Sequence, residues 1–365
     1  MAVNERHTHA PLPHPAGRAV PARCRVGRPG RRPLGRRQAH GVITVAIAHG
    51  LADEHGERIE EAGGGRIRLL PLRGEEGEAV LDDVEIAVYG LYEGSLSFRE
   101  LADRMPRLHW IHSTGAGVDS FVSPRLAERG VIVTNSSGVY APAMVEFALA
   151  GMVSFARDFR RLFVQQDERR WNHEPIAGRE LHGKRVGIVG YGATGRYLAT
   201  VCKALGMEVW ATRRTPILTS GEPLDRLLPS EELHELLGAS DYVVVTASLN
   251  SSTRHLLGEA EFRAFKTGAV LVNVSRGGLV DQDALLAALD AGRLGGAFLD
   301  VVEPEPLPPE SRLWTHPQVI VTSHISGGSP EGWARSIELF CRNLPLYLVG
   351  ETKRLGNLVD LADHL

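Results

Sequence analysis

The sequence predicts an α/β protein built from two doubly wound parallel sheets. Three observations predict it. Short apolar runs rich in β-branched residues alternate with helix-periodic segments from Ile43 to Thr134. A long, mostly apolar helix then interrupts the alternation, and a second series of strands begins after it. Strands alternating with helices form parallel sheets covered on both faces, so two such series imply two sheets.

The composition agrees with that class. A chain of 365 residues with 43% hydrophobic and 23% charged residues is an ordinary globular protein with room for two domains. A net charge of -3 points to no nucleic acid or other polyanionic partner. Cys24, Cys202 and Cys341 are widely spaced and odd in number, which excludes a disulfide framework or a zinc pattern and fits a reducing cytoplasm. No apolar run reaches the length of a membrane span.

Residues 1–40 stand apart. They hold nine arginines, no lysine and one acid, Glu5, and show no hydrophobic periodicity. Such a segment buries too little apolar surface to offset its ordering entropy, so a disordered basic extension is expected. A nucleic-acid-binding arm or a targeting peptide are the functional alternatives. The Ser-rich amphipathic pattern of a transit peptide and the apolar core of a secretory signal are both missing. The remaining chain is acidic, at about -11.

The elements follow in order. Strands are expected at Ile43–Ala48, Ile67–Leu72, Val84–Tyr89, Leu108–His112 and Val131–Thr134, with helices over 53–62 and 98–105. The apolar helix runs from about Ala143 to Phe163, and a polar stretch with Trp171 follows. The second series comprises strands at Arg185–Val189, Glu208–Ala211, Tyr242–Thr246, Ala269–Val274, Gly296–Leu299 and Val319–Thr322. A last helix is expected from Glu331 to about Leu344, just before Pro345. Because the first series is short of covering helices, this C-terminal segment is expected to return to it.

Six stretches carry chemistry. Strand 185–189 runs into Gly190-x-Gly192-x-x-Gly195 and then a helix, the Rossmann dinucleotide signature. Its glycines allow a tight turn, close approach to a pyrophosphate and close helix packing, while the helix N-terminus offers free N–H groups. Arg213 and Arg214 end the next strand, where an acid that would bond a ribose is common. In the second series, Arg276 lies after one strand, Asp300, Glu303 and Glu305 after the next, and His324 after the last. The carboxyl ends of parallel strands face the ligand crevice, so an arginine there can hold a carboxylate and a histidine beside an acid can serve as a general acid. Singly, each could be a structural residue. In the first series, Ser113–Asp119 is a glycine loop after a strand, either a simple turn or an anion-binding nest of backbone N–H groups.

Taken together, the GAGVD loop, LHGKRVGIVGYGATG, LVNVSRGGLVDQDAL, LDVVEPEPL and TSHISG make residues 43–360 resemble the D-isomer-specific 2-hydroxyacid dehydrogenases. That family includes glyoxylate/hydroxypyruvate reductases and phosphoglycerate dehydrogenase-like enzymes. The lack of roughly a further hundred residues sets the chain apart from phosphoglycerate dehydrogenases with a C-terminal regulatory domain.

The resemblance implies a Rossmann nucleotide-binding domain over 140–323 and a flavodoxin-like substrate domain over 41–139, rejoined by 324–365. It implies that Arg276, Glu305 and His324 are catalytic, and that Ala116 and Gly117 offer N–H groups to a substrate carboxylate with Arg276. Gly190, Gly192, Thr194, Gly195, Arg213, Arg214, Val274, Ser275 and Asp300 are expected along the cofactor. Thr194, Ser248 and Ser323 depart from the family's usual isoleucine, proline and proline without removing a functional group. Arg213 stands where NAD-preferring members usually carry aspartate. NADP(H) is therefore expected to be preferred, with NAD(H) as the lesser alternative.

The expected reaction is reversible hydride transfer between a nicotinamide and a small 2-keto or D-2-hydroxy acid. The resemblance also implies a homodimer formed through the nucleotide domain and the 143–163 helix. A non-catalytic scaffold like the family's co-repressors is the alternative, opposed by the three filled catalytic positions. A formate dehydrogenase should lack the Glu–His pair. Tyr89, Leu91, Tyr92 and Trp314 are candidates either for the substrate side-chain pocket or for the core.

Overall fold

In a computed structural model, residues 41–72, 81–90, 97–118, 120–172, 178–217 and 219–364 are described. The expectations for residues 1–40, Leu91, Tyr92 and Asp119 lie outside them. The described residues contain two sheets. The first has five strands in the order β2-β1-β3-β4-β5, with β1 Ile43–Ala48, β2 Ile67–Leu72, β3 Val84–Tyr89, β4 Trp110–Ser113 and β5 Ile132–Thr134. The second has seven in the order β12-β11-β10-β9-β6-β7-β8. Its strands are β6 Arg185–Val189, β7 Glu208–Arg213, β8 Arg226–Pro229, β9 Tyr242–Val245, β10 Ala269–Asn273, β11 Leu294–Leu299 and β12 Val319–Val321.

Every neighbouring pair of these strands is parallel. The first order is that of flavodoxin-like sheets and the second extends the Rossmann order, as the two series of strands predicted. β1 and β10 are buried at every residue, as expected for strands covered on both faces.

Two helices tie the sheets together. Helix Ala141–Ala156 leaves the first sheet and lays Val145, Ala148 and Met152 on Val186, Ile188 and Val244 of the second. Its Gly151 is required there, since a Cβ would stand 2.6 Å from the Phe298 ring. Helix Pro330–Leu348 returns to the first sheet, where Ile337, Phe340 and Leu344 pack with Val45, Ile47, Ile86 and Trp110. Trp110 stacks on Phe340 and Tyr347, with ring centroids 5.0 Å apart in each case.

Three local expectations are corrected. The helix expected to run unbroken over 143–163 stops at Ala156, and a second helix spans Phe159–Asp167. Asp158 at the junction is left-handed (φ 52°), and the Arg179 N–H bonds the Ala156 carbonyl at 2.7 Å. The turn lets Arg160 cap the carbonyls of His316, Pro317 and Val319 beside the edge strand. The last helix runs through Pro345 to Leu348. Proline within a helix costs about 3 kcal/mol, and the buried Leu344 and Leu348 on either side offset it. Strand β8 has no counterpart among the expected strands, because the short segment RLLP carries almost no alternation.

Candidate active site

The strand order of the second sheet reverses between β6 and β9, the position where open α/β sheets bind ligands beyond their strand ends. The glycine loop sits there. Gly190 is left-handed (φ 98°) and a Cβ on it would strike Ala247 backbone atoms within 2.6 Å. A Cβ on Gly195 would fall 2.6 Å from the Gly190 carbonyl oxygen, whereas one on Gly192 would meet only open space. Gly190 and Gly195 are thus demanded by the protein's own packing. Gly192 keeps a surface clear for an outside group. It is the N-cap of helix Ala193–Ala204 and makes no side-chain cap, so the N–H groups of the first turn, Thr194 included, remain for a ligand. The residues therefore fit a bound pyrophosphate.

Arg213 ends β7 and Arg214 follows it, both as exposed side chains, and Thr212 before them is buried. A network missed from sequence braces the adjoining loop. Glu222 receives the Tyr191 hydroxyl (2.7 Å) and the Thr219 hydroxyl (2.8 Å), and pairs with Arg196. Burial pushes the Tyr191 phenol well above its usual range, reinforced by Glu222. Val274 is buried, and the Ser275 hydroxyl donates to the Ala247 carbonyl beside the glycine loop.

The strand ends of β10, β11 and β12 meet through short contacts. The Asp300 N–H bonds the Asn273 carbonyl (3.0 Å), the Thr322 N–H the Leu299 carbonyl (2.9 Å), and the His324 N–H the Asp300 carbonyl (2.8 Å). Gly277 lies so close to the Val302 carbonyl that any Cβ would overlap it, which seats Arg276 against the 302–305 loop. Arg276 Nη1 donates to the Ser275 carbonyl at 2.8 Å. Gln282 clasps Glu303, donating to its carbonyl and accepting its N–H, while Arg254 holds its carboxylate with two 3.0 Å contacts.

Within this frame His324 Nδ1 meets Glu305 Oε2 at 2.8 Å, and Glu305 Oε1 accepts the Val302 N–H at 3.2 Å. Nδ1–H donation to the carboxylate fixes the imidazole tautomer and leaves Nε2 as the working nitrogen. The pair is open to solvent, with side chains 45% and 38% exposed. His324 is left-handed (φ 54°), a conformation the surrounding bonds must hold. Asp300 holds it. Its carboxylate, in a residue 1% exposed, accepts from the Thr322 hydroxyl and the N–H groups of Ile325 and Ser326. Burial acts to raise the Asp300 pKa, but the bonds from Ser326, Thr322 and Ile325 outweigh it and keep the carboxyl below the usual range. Asp300 is on the rim expected for a cofactor contact, but its carboxylate is spent on the turn that carries His324.

The glycine loop of the first sheet follows β4. Gly115 and Ala116 are exposed and Gly117 half-buried. Tyr89 packs into an aromatic cluster with Phe98 and Phe121, at centroid distances of 4.2 and 4.9 Å, and the Trp314 indole N–H bonds the Pro308 carbonyl. Among the described residues there is no cluster of His, Cys, Asp and Glu able to hold a metal and no helix long and apolar enough to cross a membrane.

Fold and site together define a nucleotide-binding α/β protein with an acid–base pair at its strand ends. Residues 149–326 match the family model described as the D-isomer specific 2-hydroxyacid dehydrogenase, NAD binding domain. The chain is 35% identical over 264 residues to a glyoxylate reductase from Thermococcus gammatolerans, covering 69% of this chain and 77% of that enzyme. It superposes with a TM-score of 0.77 on a D-isomer specific 2-hydroxyacid dehydrogenase family protein from Aeromonas salmonicida, at 28% identity over 87% of this chain and 99% of that one. A similar match (TM-score 0.71, 25% identity, 88% and 100% covered) is to an NADPH-dependent glyoxylate/hydroxypyruvate reductase from Sinorhizobium meliloti in complex with NADP and sulfate. The chain belongs to the D-isomer-specific 2-hydroxyacid dehydrogenase family.

Proposed function

We propose that the protein is an NADPH-preferring reductase of a small 2-keto acid such as glyoxylate or hydroxypyruvate. The observation that carries this reading is the Glu305–His324 pair, held at 2.8 Å beside the strand end that bears Arg276. The similarity to a glyoxylate reductase and to an NADPH-dependent glyoxylate/hydroxypyruvate reductase supports the substrate class. The cofactor, when bound, supplies a hydride to the keto carbon. Gly190, Gly192, Thr194 and Gly195 would hold its pyrophosphate, Arg213 and Arg214 its 2′-phosphate, and Val274 and Ser275 would border it.

The chain's own groups do the rest. Arg276 binds the substrate carboxylate with its planar fork, aided by the N–H groups of Ala116 and Gly117. His324 delivers a proton from Nε2 to the keto oxygen, and Glu305 holds the resulting arrangement of the ring. Asp300 positions His324 rather than touching substrate. In this reading the domain over 140–323 carries the cofactor, and 41–139 with 324–365 carries the substrate loop. Two copies associate through the Phe159–Asp167 helix, where Phe163 is 62% exposed, with Trp171 beyond it 88% exposed.

His324→Ala tests the assignment. Loss of a general acid should lower kcat by roughly 100- to 10,000-fold while the dissociation constant of NADPH stays near that of the wild type. Turnover close to wild type would remove His324 from the mechanism.

A further inference from the structure

The loop proposed to receive the substrate carboxylate is gripped from behind by one short segment. Four successive carbonyls of the loop are bonded by residues 135–140. The Ser136 hydroxyl donates to the Ser113 carbonyl (2.9 Å), the Tyr140 hydroxyl to Thr114 (2.6 Å), the Ser136 N–H to Gly115 (2.9 Å) and Asn135 Nδ2 to Ala116 (2.7 Å). A trans peptide is planar, and its C=O and N–H point in opposite directions. Tying the Gly115 carbonyl therefore turns the Ala116 N–H away from the segment, and tying the Ala116 carbonyl does the same for the Gly117 N–H. Among the described residues neither of these N–H groups finds an acceptor. The loop's front is exposed, while its back is fully bonded.

The segment is itself anchored. The Asn135 N–H donates to the Asn357 carbonyl (3.1 Å), and Asn135 Oδ1 accepts the Ser137 N–H (3.1 Å), so the amide has one orientation. Asn357 Nδ2 donates to the Ser137 carbonyl (2.9 Å), and the Val359 N–H donates to the Val133 carbonyl beside it (2.9 Å). Buried Asn343 clasps Gly356 through both its N–H (2.7 Å) and its carbonyl (3.0 Å). The C-terminal segment thus fixes Asn135 against the edge strand β5. Ser336 of the returning helix meets the Ser136 hydroxyl at 2.7 Å, and the Tyr140 ring packs edge-on to Trp333.

We infer that Asn135 is a positioning residue for substrate, aiming the Gly117 N–H of the 115–117 loop at the carboxylate; the Gly115 N–H, on the peptide whose carbonyl Tyr140 holds, is already given to the Ser113 hydroxyl (3.2 Å). The inference rests on the reading that this loop receives that carboxylate. The Asn135 side chain does not touch substrate; it acts through the Ala116 carbonyl. Removing its bond frees the Ala116–Gly117 peptide to rotate, so the Gly117 N–H no longer converges with that of Ala116.

The test uses the full chain with Asn135→Ala, and with Tyr140→Phe as a control that keeps the ring against Trp333 and removes a loop bond whose peptide N–H is already held by Ser113. Oxalate, a carboxylate that cannot be reduced, is titrated by calorimetry into the NADPH complex, and glyoxylate kinetics are run alongside. Asn135→Ala should raise the oxalate dissociation constant and the glyoxylate KM by about fivefold to tenfold, and Tyr140→Phe by less than about twofold. The NADPH dissociation constant and kcat should change by less than about twofold, a split that general loss of folding would not produce. Unchanged oxalate binding in Asn135→Ala, or an equal loss in Tyr140→Phe, with tight binding by the wild type, overturns the inference alone. Parallel loss of NADPH affinity also overturns it, by showing a structural role. Failure of the wild type to bind oxalate would overturn the reading of the site and the inference with it.

Discussion

Acid should weaken this fold through one histidine that lies directly behind the substrate loop. His112, in β4, is 0% exposed and packs beside the stacked rings of Trp110 and Phe340, with Nδ1 2.9 Å from the Thr134 hydroxyl. Burial pushes its pKa down from 6.5 to about 4. In the unfolded chain the imidazole titrates normally, so below its unfolded pKa the unfolded state takes up a proton that the folded state refuses. The neutral histidine therefore costs nothing above pH 6.5, and stability falls as pH drops from there toward the folded value. Linkage between those two values gives a loss of about 2 kcal/mol between about pH 7.5 and about pH 5. Urea unfolding of the wild type and His112→Gln at those two pH values isolates the histidine, because all other titrating groups are common to both. The wild type should lose about 2 kcal/mol more than the variant over this interval. Equal losses in the two proteins would refute the burial argument.

Two further substitutions probe the site. Arg276→Lys should lower kcat/KM for the keto acid by roughly 10- to 100-fold, since lysine cannot reproduce a two-pronged contact; steady-state kinetics equal to wild type would make the arginine structural. Arg213→Asp should raise the NADPH dissociation constant by about tenfold or more and leave or lower that for NADH, as a carboxylate repels the 2′-phosphate; fluorescence titration with both cofactors checks it.

The fold class was legible because both signals behind it are local. Buried parallel strands such as AVLVN at Ala269–Asn273 read as unbroken apolar runs, and the glycine pattern marks one strand–helix junction. Legibility failed where structure depends on distant partners. Strand β8 exists because Trp210 to Arg213 of β7 offer a free edge to a segment with almost no signal of its own. The break at Asp158 serves Arg160 contacts with residues more than 150 positions away. Pro345 looks like a terminator in the sequence, because sequence alone cannot weigh the burial of Leu344 and Leu348 against a lost hydrogen bond.

The same division runs through the site. Arg276, Asp300, Glu305 and His324 could be picked out because the carboxyl ends of adjacent strands converge. The residues that brace them could not. Gln282 reaches Glu303 across two strand ends, Glu222 reaches back to Tyr191, and Asn135 reaches the Ala116 carbonyl only because β4 and β5 are neighbours. Asp300 shows the limit most clearly. Its position on the rim was readable, but the direction of its carboxylate, into the His324 turn, depends on three hydrogen bonds from residues 322–326.

The most direct test of the central claim is oxidation of NADPH and NADH by the purified protein, followed by absorbance with glyoxylate, hydroxypyruvate, pyruvate and bulkier 2-keto acids. The account predicts consumption that depends on a small 2-keto acid, with higher kcat/KM for NADPH than for NADH. No keto-acid-dependent oxidation of either cofactor would contradict the proposed reaction, and higher efficiency with NADH would contradict the role given to Arg213 and Arg214.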